Sequence, residues 1–477
     1  MSIFIYNSLS RKKEEFIPLN PPKVNIYSCG VTVYDDCHIG HARSLYIFEV
    51  IRRYLKYRGF EVRFVRNITD IDDKIINRAN ELKVDWKELV KKYIDRYYED
   101  IKALNIPEAD SEPRATENIN EMIRHIQRLI EKGYAYETKT GVYFSVRKFK
   151  GYGKLSGQSI EQMLSGVRKE ADETKEDPLD FALWKKSKPG EPSWVSPCGE
   201  GRPGWHIECS VMSQKFLKTE TLDIHAGGRD LIFPHHENEI AQAEALTGVP
   251  FAKYWLHHGL LTINGQKMSK SLGNFVTIKD ALKKYHPDVL KIFYLQAHYS
   301  SPIDFSEKKM EEAKQALERI AIFIDKVTRS VRKPPRRGQG QCASLPEGDK
   351  VTSEKSKEIG EFKNRFIAAM DDDFNTPQAL ASLFELVNTA NKNIDDTGFI
   401  SEASDVLLEL AALFGLEIAA KTGYKNLPAT VTALIDKRNE AKKRRDFTEA
   451  DRLRKELENQ GIILEDTKEG TTWRRKL

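Results

Sequence analysis

Two histidines three positions apart, His38 and His41, stand where a predicted turn gives way to a predicted helix. Gly40 lies between them and lacks a side chain, so a ligand can approach the backbone closely. Helix N-termini attract anions, and imidazole N–H groups can donate to phosphate oxygens. The turn is therefore a candidate phosphate site. The alternatives are two ordinary surface histidines or a zinc-binding pair, although helical zinc sites use His-x-x-x-His spacing.

A second candidate phosphate site follows a predicted hairpin turn, the Asn-Gly pair at 264–265. Residues 267–271, with the sequence KMSKS, hold two lysines and two serines. Two lysines can neutralise a polyphosphate and stabilise the charge that develops during phosphoryl or nucleotidyl transfer. Alone this pattern also describes an ordinary solvated loop. Its pairing with the histidine turn, in this order, is what makes it informative.

A third set of residues offers soft metal ligands that are dispersed along the chain. It comprises Cys29, Cys209 and, within residues 234–239 (PHHENE), His235 and Glu239, which share a helix face because they are four positions apart. Two thiolates, an imidazole and a carboxylate make a credible tetrahedral zinc site. The alternative is that the cysteines are buried in strands and the acidic helix is merely exposed. Without Cys-x-x-Cys spacing, the residues alone leave both interpretations open.

The secondary structure predicted around these residues indicates an α/β fold. A strand at 23–29, a helix from about 40 that Gly59 ends, and a strand at 61–68 form a βαβ unit. Such a unit begins a doubly wound nucleotide-binding sheet. We predict a Rossmann-like, parallel-sheet catalytic domain with an insertion, followed by a helical bundle and a small mixed α/β C-terminal module.

Residues 113–200 are predicted to form the insertion, with a helix at 119–131, a hairpin at 134–146 and then a polar stretch. The sheet pattern is expected to resume near Trp205. Further elements are predicted from periodicity, capping and turn signals. They are a helix opened by Thr277 and Asp280, long helices at 311–327, 355–370 and 378–393, a flexible loop at 332–350, and C-terminal helices at 431–445 and 449–460 before a hairpin through 462–464 and 471–473.

Composition limits the function classes. The chain has 477 residues, 40% hydrophobic and 31% charged, with a formal net charge of 76 − 71 = +5. These values predict a soluble, folded protein of about three domains, and the mild positive charge permits a nucleic-acid partner. No apolar run approaches the ~18 residues of a membrane helix, and no signal peptide is evident, so a cytoplasmic location without membrane attachment is expected. Five widely spaced cysteines do not indicate a disulfide framework.

The two signatures HIGH at 38–41 and KMSKS at 267–271 resemble the signature pair of class I aminoacyl-tRNA synthetases. Longer stretches resemble one family among them, the cysteinyl-tRNA synthetases, from the N-terminal strand to the C-terminal module. These stretches are YSCGVTVYDDCHIGHAR, RNITDIDDKII, EGRPGWHIECS, DLIFPHHENEIAQ, KMSKSLGN and MDDDFNTPQAL.

The resemblance implies a set of site residues and partners. It implies one catalytic zinc per chain, which binds the substrate thiolate, and Mg²⁺ that accompanies ATP. It implies action on L-cysteine, ATP and tRNA(Cys), and we expect a monomer without deriving that state from the sequence. The implied residues are Cys29, Cys209, His235 and Glu239 for zinc; His38, His41, Lys267 and Lys270 for catalysis; His38, Gly40, His41, Asp230 and Lys270 for ATP; and Thr69 and Trp205 for the amino-acid pocket.

We also predict limits for each domain. Two alternative functions remain open. The predicted limits are 1–112 and 201–250 for the two catalytic halves, 113–200 for the connective insertion, 251–310 for the KMSKS-bearing stem-contact region, 311–420 for the helical bundle and 421–477 for an anticodon-binding module. One rival is a cysteine ligase with the same core that acylates an amino-sugar for small-thiol biosynthesis. The other is a catalytically silent zinc- and RNA-binding protein.

Overall fold

The computed structural model describes residues 2–166, 174–269, 273–331, 353–418, 429–467 and 470–475. Its strands are β1 (Phe4–Asn7), β2 (Lys12–Glu15), β3 (Lys23–Thr32), β4 (Glu61–Thr69), β5 (Ala135–Glu137), β6 (Gly141–Phe144), β7 (Phe181–Lys186), β8 (Gly201–Pro203), β9 (Leu222–Gly228), β10 (Ala252–His258), β11 (Leu261–Ile263), β12 (Gln266–Lys267), β13 (Ile303–Phe305), β14 (Ile462–Thr467) and β15 (Gly470–Arg475).

Its helices are α1 (Ile39–Tyr57), α2 (Asp73–Leu82), α3 (Trp86–Ala103), α4 (Ile119–Glu131), α5 (Ile160–Gly166), α6 (Trp205–Leu217), α7 (Glu237–Thr247), α8 (Ile278–Lys284), α9 (Pro287–Leu295), α10 (Glu307–Val331), α11 (Ser353–Asp371), α12 (Thr376–Lys392), α13 (Thr397–Leu413), α14 (Ala429–Lys443) and α15 (Phe447–Asn459). Short helical turns lie between some of them, including Ile232–His236 directly before α7.

Four parallel strands form the central sheet, in the order β10–β9–β3–β4. Helix α1 connects β3 to β4, which confirms the predicted βαβ unit and the doubly wound fold. The strands are largely buried because helices cover both faces of such sheets. Strand β10 lies beyond residue 250, the predicted end of the second catalytic half, yet it pairs with β9. The sheet therefore extends to His258.

Two glycines explain the local geometry of the βαβ unit. Helix α1 ends at Tyr57, and Gly59 follows with a φ of +87°, as its predicted role at the helix end requires. Strand β3 runs past its predicted end at Cys29, through an irregular register near Gly30. A Cβ on Gly30 would come within 1.6 Å of the carbonyl oxygen of Asn67, so only glycine lets the two strands approach this closely.

A four-stranded antiparallel sheet in the order β5–β6–β7–β8 occupies the insertion and extends three residues past its predicted end at 200. Helix α4 has its predicted bounds, and β5 and β6 form the predicted hairpin. Strands β7 and β8 were not predicted. The expectation that strand pattern resumes near Trp205 is wrong, because Trp205 is the first residue of helix α6. That helix is buried along most of its length, which removes the polar face that would have revealed its period.

The predicted hairpin after the central sheet is β11–β12, with Asn264 and Gly265 at φ values of +50° and +76°. Helix α8 begins as predicted, because the Thr277 hydroxyl accepts a hydrogen bond from the Asp280 backbone N–H at 3.0 Å.

The C-terminal third is helical. Helices α10, α11 and α12 confirm the three long helices, and α13 lies outside those predicted. They share one hydrophobic core with the central sheet. Helices α14 and α15 and the β14–β15 hairpin confirm the predicted elements and have a small core of their own. The predicted loop at 332–350 lies outside the described residues. None of the described helices is long and apolar enough to cross a lipid bilayer.

Candidate active site

Four side chains from different parts of the chain converge beside the central sheet. Cys29 lies on β3, Cys209 on α6, His235 in the turn before α7, and Glu239 on α7. The two sulfurs are 3.7 Å apart, His235 Nε2 lies 3.6 Å from the Cys209 sulfur, and Glu239 Oε1 lies 3.0 Å from His235 Nε2. Metal–ligand bonds of about 2.0–2.3 Å place the corners of a tetrahedron roughly 3.3–3.8 Å apart. The donor spacing suits a tetrahedral zinc.

The burial of these four residues excludes the alternative interpretation, in which the acidic helix is exposed. The four residues are at most 9% exposed, and Glu239 is fully buried. Helix α7 begins with buried polar residues rather than a solvated face, and Cys209 lies on a helix rather than in a strand. Buried charges and thiols need partners or a metal. The residues therefore form a buried possible metal site.

A surrounding layer of histidines orients two of the donors. His206 Nδ1 lies 2.9 Å from His235 Nδ1, which leaves His235 Nε2 directed at the cluster. His225 Nε2 lies 2.7 Å from Glu239 Oε2, which leaves Glu239 Oε1 toward the cluster. Such contacts fix ligand orientation in metal sites and strengthen binding. The surrounding histidines therefore hold the side chains of His235 and Glu239 in fixed orientations.

A second donor set overlaps the first. It consists of Cys29, His225, His236 and Glu239, whose ligand atoms also lie within 4.8 Å of one another. The Cys29 sulfur is 3.2 Å from His236 Nε2. Both sets share Cys29 and Glu239, so both describe the same pocket. The set with two sulfurs is the softer one and suits zinc better.

The electrostatics of the cluster favour the anionic forms of Glu239 and Cys209, whereas burial, with Cys209 and Glu239, raises the pKa of the Cys29 thiol well above its usual range. Burial alone would raise the pKa of Glu239, but His225 and His235 hold it well below its usual range. Burial would lower the pKa of His235, yet the Glu239 carboxylate raises it to about 10. Hydrogen bonds from Cys29 and His235 outweigh burial at Cys209 and lower its pKa to about 6. A carboxylate and a thiolate side by side suit a cation.

The two residues predicted for the amino-acid pocket flank the cluster. The Trp205 ring stacks on His235, with ring centroids 4.0 Å apart. Thr69, at the end of β4, is buried, and its hydroxyl donates to Glu208 Oε2 at 2.8 Å. Asn67 Nδ2 donates to the same hydroxyl at 3.2 Å. Parallel sheets bind ligands at the carboxyl ends of their strands, which is where Thr69 lies.

The histidine turn forms the N-terminus of α1. His38 Nδ1 accepts the backbone N–H groups of Gly40 and His41 at 3.1 and 3.2 Å, and His41 Nδ1 accepts the backbone N–H of His38 at 3.3 Å. The two rings stack with centroids 3.6 Å apart. Burial lowers the pKa of both rings, to about 4 for His38. Each neutral ring with an accepting Nδ1 carries its proton on Nε2, which can donate to a phosphate.

Asp230 lies in the helical turn that follows β9, where it is exposed. Its charge acts on His38 and on His258 at the end of β10. The predicted nucleotide-side residue is therefore close to the histidine turn.

The described part of the KMSKS segment adjoins the same turn. A Cβ on Gly40 would lie 3.6 Å from the Met268 methyl carbon, and Lys267 is exposed. Backbone hydrogen bonds from Ile39 N to Val276 O and from Ile278 N to Cys37 O join the two signature regions. Lys270 lies outside the described residues.

Sequence reasoning missed the residues that surround the four donors. They are His206, His225, His236 and His257, together with Asn67 and Glu208. A signal was present, because residues 206–258 contain six of the eleven histidines in the chain. That enrichment could have marked the region, but not the partner of each ring.

The chain matches the profiles of three known protein families. A family profile described as tRNA synthetases class I (C) catalytic domain matches residues 15–315. Profiles described as a DALR domain and as a cysteinyl-tRNA ligase anticodon binding domain match residues 365–419 and 425–474. Curated relatives agree over their full length. The chain belongs to the cysteinyl-tRNA synthetases. The cysteine–tRNA ligases of Persephonella marina, Aquifex aeolicus and Anoxybacillus flavithermus are 51%, 49% and 50% identical to it and are covered over 99–100% of each chain.

Solved synthetases of other specificities share the fold of this cysteinyl-tRNA synthetase chain. A Mycobacterium tuberculosis methionyl-tRNA synthetase in complex with methionyl-adenylate has a TM-score of 0.61 at 16% identity, with 82% of this chain and 90% of that one covered. An Agrobacterium radiobacter leucyl-tRNA synthetase, solved as a ternary complex, has a TM-score of 0.59 at 12% identity, with 86% and 87% covered. At these identities the likeness concerns the fold alone.

Proposed function

We propose that Cys29, Cys209, His235 and Glu239 hold a zinc ion with which this cysteine–tRNA ligase selects L-cysteine by its sulfur. The observation that carries the proposal is the convergence of the four donor atoms within 4.8 Å in a buried pocket. Zinc bound there would supply a Lewis acid that stabilises the thiolate of the substrate.

Selection through sulfur would solve the problem posed by serine. Serine and cysteine differ by one atom, and pocket contacts that differ so little discriminate by only ~10–200-fold. The hydroxyl of serine is far harder to ionise than a thiol, so it is a poor match to a site built from soft donors. The insertion has no role in this selection in our proposal.

At the nucleotide end, the neutral rings of His38 and His41 donate from Nε2 to the phosphates of ATP. Gly40 lets the nucleotide approach the helix N-terminus, and Asp230 contributes to the nucleotide side. Lys267 and Lys270 neutralise charge on the departing pyrophosphate, and Mg²⁺ accompanies ATP. The interlocking hydrogen bonds of the histidine turn support this assignment, because they fix which nitrogen of each ring is the donor.

Neither of the two reaction steps requires a protein nucleophile. An oxygen of the cysteine carboxylate attacks the α-phosphorus of ATP, which forms cysteinyl adenylate and releases pyrophosphate. The 2′-hydroxyl of the terminal adenosine of tRNA(Cys) then attacks the adenylate carbonyl, which releases AMP. Thr69 and Trp205 hold the amino acid, so catalysis rests on positioning and charge stabilisation.

The C-terminal module, residues 421–477, is proposed to bind the anticodon. Residues 433–477 contain 13 lysines and arginines against 10 aspartates and glutamates. The matching anticodon-binding profile favours this function over the amino-sugar ligase, which needs no such module. We also propose a cytoplasmic monomer with an insertion at 113–200, a stem-contact region within 251–310 and a helical bundle at 311–420. The proposed catalytic halves are 1–112 and 201–250, and the second is extended to His258 because β10 belongs to the central sheet.

Two assays on two chains test the proposed function. The full chain should show cysteine-dependent ATP–pyrophosphate exchange and should charge tRNA(Cys). A chain stopped near Lys425 should retain exchange, because the proposed cysteine and ATP sites precede residue 280. Its charging of tRNA should fall sharply and lose much of its salt dependence, because phosphate contacts are lost. Equal charging by both chains would refute the anticodon assignment, and absent exchange in the full chain would refute the activity.

A further inference from the structure

Arg43 is a buried cation that the proposed mechanism does not use. It lies on α1, two residues after His41, and is fully buried. Burial lowers its pKa to about 10, so it stays charged at neutral pH. Among the described residues, no carboxylate forms an ion pair with it. Burying a cation without an anionic partner is costly, so its contacts must offset that cost.

The guanidinium donates to backbone carbonyl groups of two separate segments. Nη1 of Arg43 donates to the carbonyl oxygens of Gly259 and Leu260 at 2.7 and 3.0 Å. Nη2 donates to those of Tyr299 and Ser301 at 3.1 and 2.6 Å. A guanidinium presents its N–H groups as a rigid planar fork, whereas a lysine ammonium is a single point of charge. One arginine can therefore join both segments to α1, and a lysine cannot replace all of these bonds.

The two segments form the base of the small sheet that carries the KMSKS segment, and we call residues 259–260 and 298–301 the hairpin base. The first part directly precedes β11, and the second ends two residues before β13, which pairs with β11. Thr262 on β11 is in register with Lys267, the first residue of KMSKS. The position of the hairpin base therefore sets the position of Lys267 relative to α1.

A second residue, Asp373, also binds the hairpin base. It lies between α11 and α12. The Tyr299 hydroxyl donates to Asp373 Oδ1 at 2.8 Å, and His298 Nε2 lies 2.8 Å from the carbonyl oxygen of Asp373. The same Oδ1 accepts the backbone N–H of Tyr6 at 2.8 Å. Arg43 and Asp373 therefore fix the hairpin base to α1 and to the helical bundle.

We infer that Arg43 is a positioning residue for adenylate formation: it fixes the KMSKS hairpin against the helix that carries His38 and His41. Both sets of phosphate-binding groups then meet one triphosphate in a fixed geometry. This inference rests on the proposed function, because it requires Lys267 and Lys270 to stabilise the charge on the departing pyrophosphate. Arg43 itself touches neither ATP nor cysteine, because its guanidinium is buried in contacts with the hairpin base.

Arg43→Lys tests this inference, because it keeps the positive charge and loses the fork. A displacement of ~1 Å at a reacting group can cost about 10²-fold, so adenylate formation in single-turnover experiments should slow by about 10- to 100-fold. Direct binding of cysteine and zinc content should stay unchanged, because other elements build that end of the site.

Arg52→Lys is the matched control. Arg52 is a second buried arginine of α1, and its Nη1 donates to the carbonyl oxygen of Glu108 at 3.0 Å, outside the hairpin base. This variant should keep the wild-type rate of adenylate formation. An unaltered rate in Arg43→Lys, equal slowing in Arg52→Lys, or a matching loss of cysteine binding in Arg43→Lys would overturn the inference.

A chain without the two hairpin lysines separates this inference from the proposed function. If Arg43 acts through these lysines, adding Arg43→Lys to Lys267→Ala and Lys270→Ala should slow adenylate formation by no more than about 2-fold further. Multiplied losses would overturn the inference alone. A wild-type rate in the chain that lacks both lysines would refute their proposed role, and with it the inference.

Tyr299→Phe gives a second test that does not depend on the stability of a chain altered at Arg43. It removes only the hydroxyl that binds Asp373, so it should slow adenylate formation by about 3- to 10-fold, as for one lost hydrogen bond. Tyr54→Phe is the control, because the Tyr54 hydroxyl donates from α1 to Asp371 Oδ1 at 2.6 Å without contacting the hairpin base. That variant should keep the wild-type rate. Equal rates in the two variants would overturn the inference.

Discussion

The proposed active site has an amino-acid end and a nucleotide end, and the two are built in different ways. At the amino-acid end, the four donors come from a strand, two helices and a turn, and all are buried. At the nucleotide end, the key groups belong to one helix N-terminus and to an exposed hairpin whose Lys267 faces solvent. The first end depends on tertiary packing, whereas the second depends on local backbone hydrogen bonds.

This difference matches the demands of each ligand. Discrimination of one atom in the amino acid requires a fixed, dehydrated pocket in which a wrong group is poorly satisfied. A triphosphate requires donors and positive charge, which a helix N-terminus and two lysines supply without deep burial. Substitutions at the amino-acid end should therefore abolish recognition, whereas those at the nucleotide end should slow chemistry.

The largest effect is expected for Cys209→Ser. The hydroxyl that replaces the sulfur is a poor zinc ligand, so bound metal should fall and the KM for cysteine should rise by roughly 10³-fold or more. The affinity for ATP should change little, because the nucleotide end is built from other elements. Bound zinc and cysteine-dependent pyrophosphate exchange should be measured on the same preparations.

Cys198→Ser is the matched control. Cys198 is also buried, but its sulfur lies 3.5 Å from Glu137 in the insertion and is not part of either donor set. This variant should keep its zinc and its cysteine KM. Full metal content in Cys209→Ser, or normal cysteine selection without metal, would show that the cluster does not set specificity.

A smaller effect is expected for Lys270→Ala. If Lys270 stabilises charge on the departing pyrophosphate, its loss should slow adenylate formation by ~10²–10³ while cysteine binding changes little. Single-turnover kinetics measure this step directly. Lys284→Ala, at the end of the nearby helix α8, serves as the control and should leave the rate unchanged. An unaltered rate in Lys270→Ala would remove that residue from the mechanism.

The sequence predicted elements with local signals better than elements defined by packing. Capping at Thr277 and the glycine after α1 predicted helix limits, and alternation predicted strand β4, because these signals act within a few residues. Strands β1 and β2 were not predicted. Helix α6 was mistaken for the return of strand pattern because it is buried nearly all round and shows no polar face. Strand β7 was missed because its apolar run FALW is short and stands within a polar stretch, and β8 because three residues show no period.

The same limit applied to the site. Residue types and spacing singled out the four donors and both signature turns, but they left a metal site and buried structural cysteines equally open, and only the family resemblance implied zinc. The partners that orient them did not follow, because contacts such as His206 with His235 and Glu208 with Thr69 join residues 29 and 139 positions apart. Only the assembled sheet and helices decide which side chains meet.

The smallest predicted effect concerns the carboxyl group of Asp100 at the nucleotide end. Asp36, two residues before His38, forms an ion pair with Arg96 of α3 at 2.6 Å. Asp100 lies one turn further along α3. Burial raises its pKa to about 7, and the like charges of Asp36 and Glu99 add to this, against the opposing effects of Arg96 and Lys279. Ionisation of Asp100 therefore lowers the free energy of unfolding. The charges at the amino-acid end are paired and carry no such penalty.

The sign of the pH dependence follows from this raised pKa. Between the ordinary value near 4 and about 7, the folded protein binds more protons at Asp100 than the unfolded chain does, so stability falls as pH rises through that window. Asp100→Asn removes the penalty and should raise the Tm by roughly 1–2 °C at pH 8, with a gain about half as large at pH 5.5. Asp95→Asn, an exposed change on the same helix, should give a smaller shift in thermal unfolding. If the gain in Tm from Asp100→Asn grew toward acid pH, the neighbours of Asp100 would be stabilising its carboxylate rather than destabilising it. The predicted penalty at the nucleotide end would then be wrong.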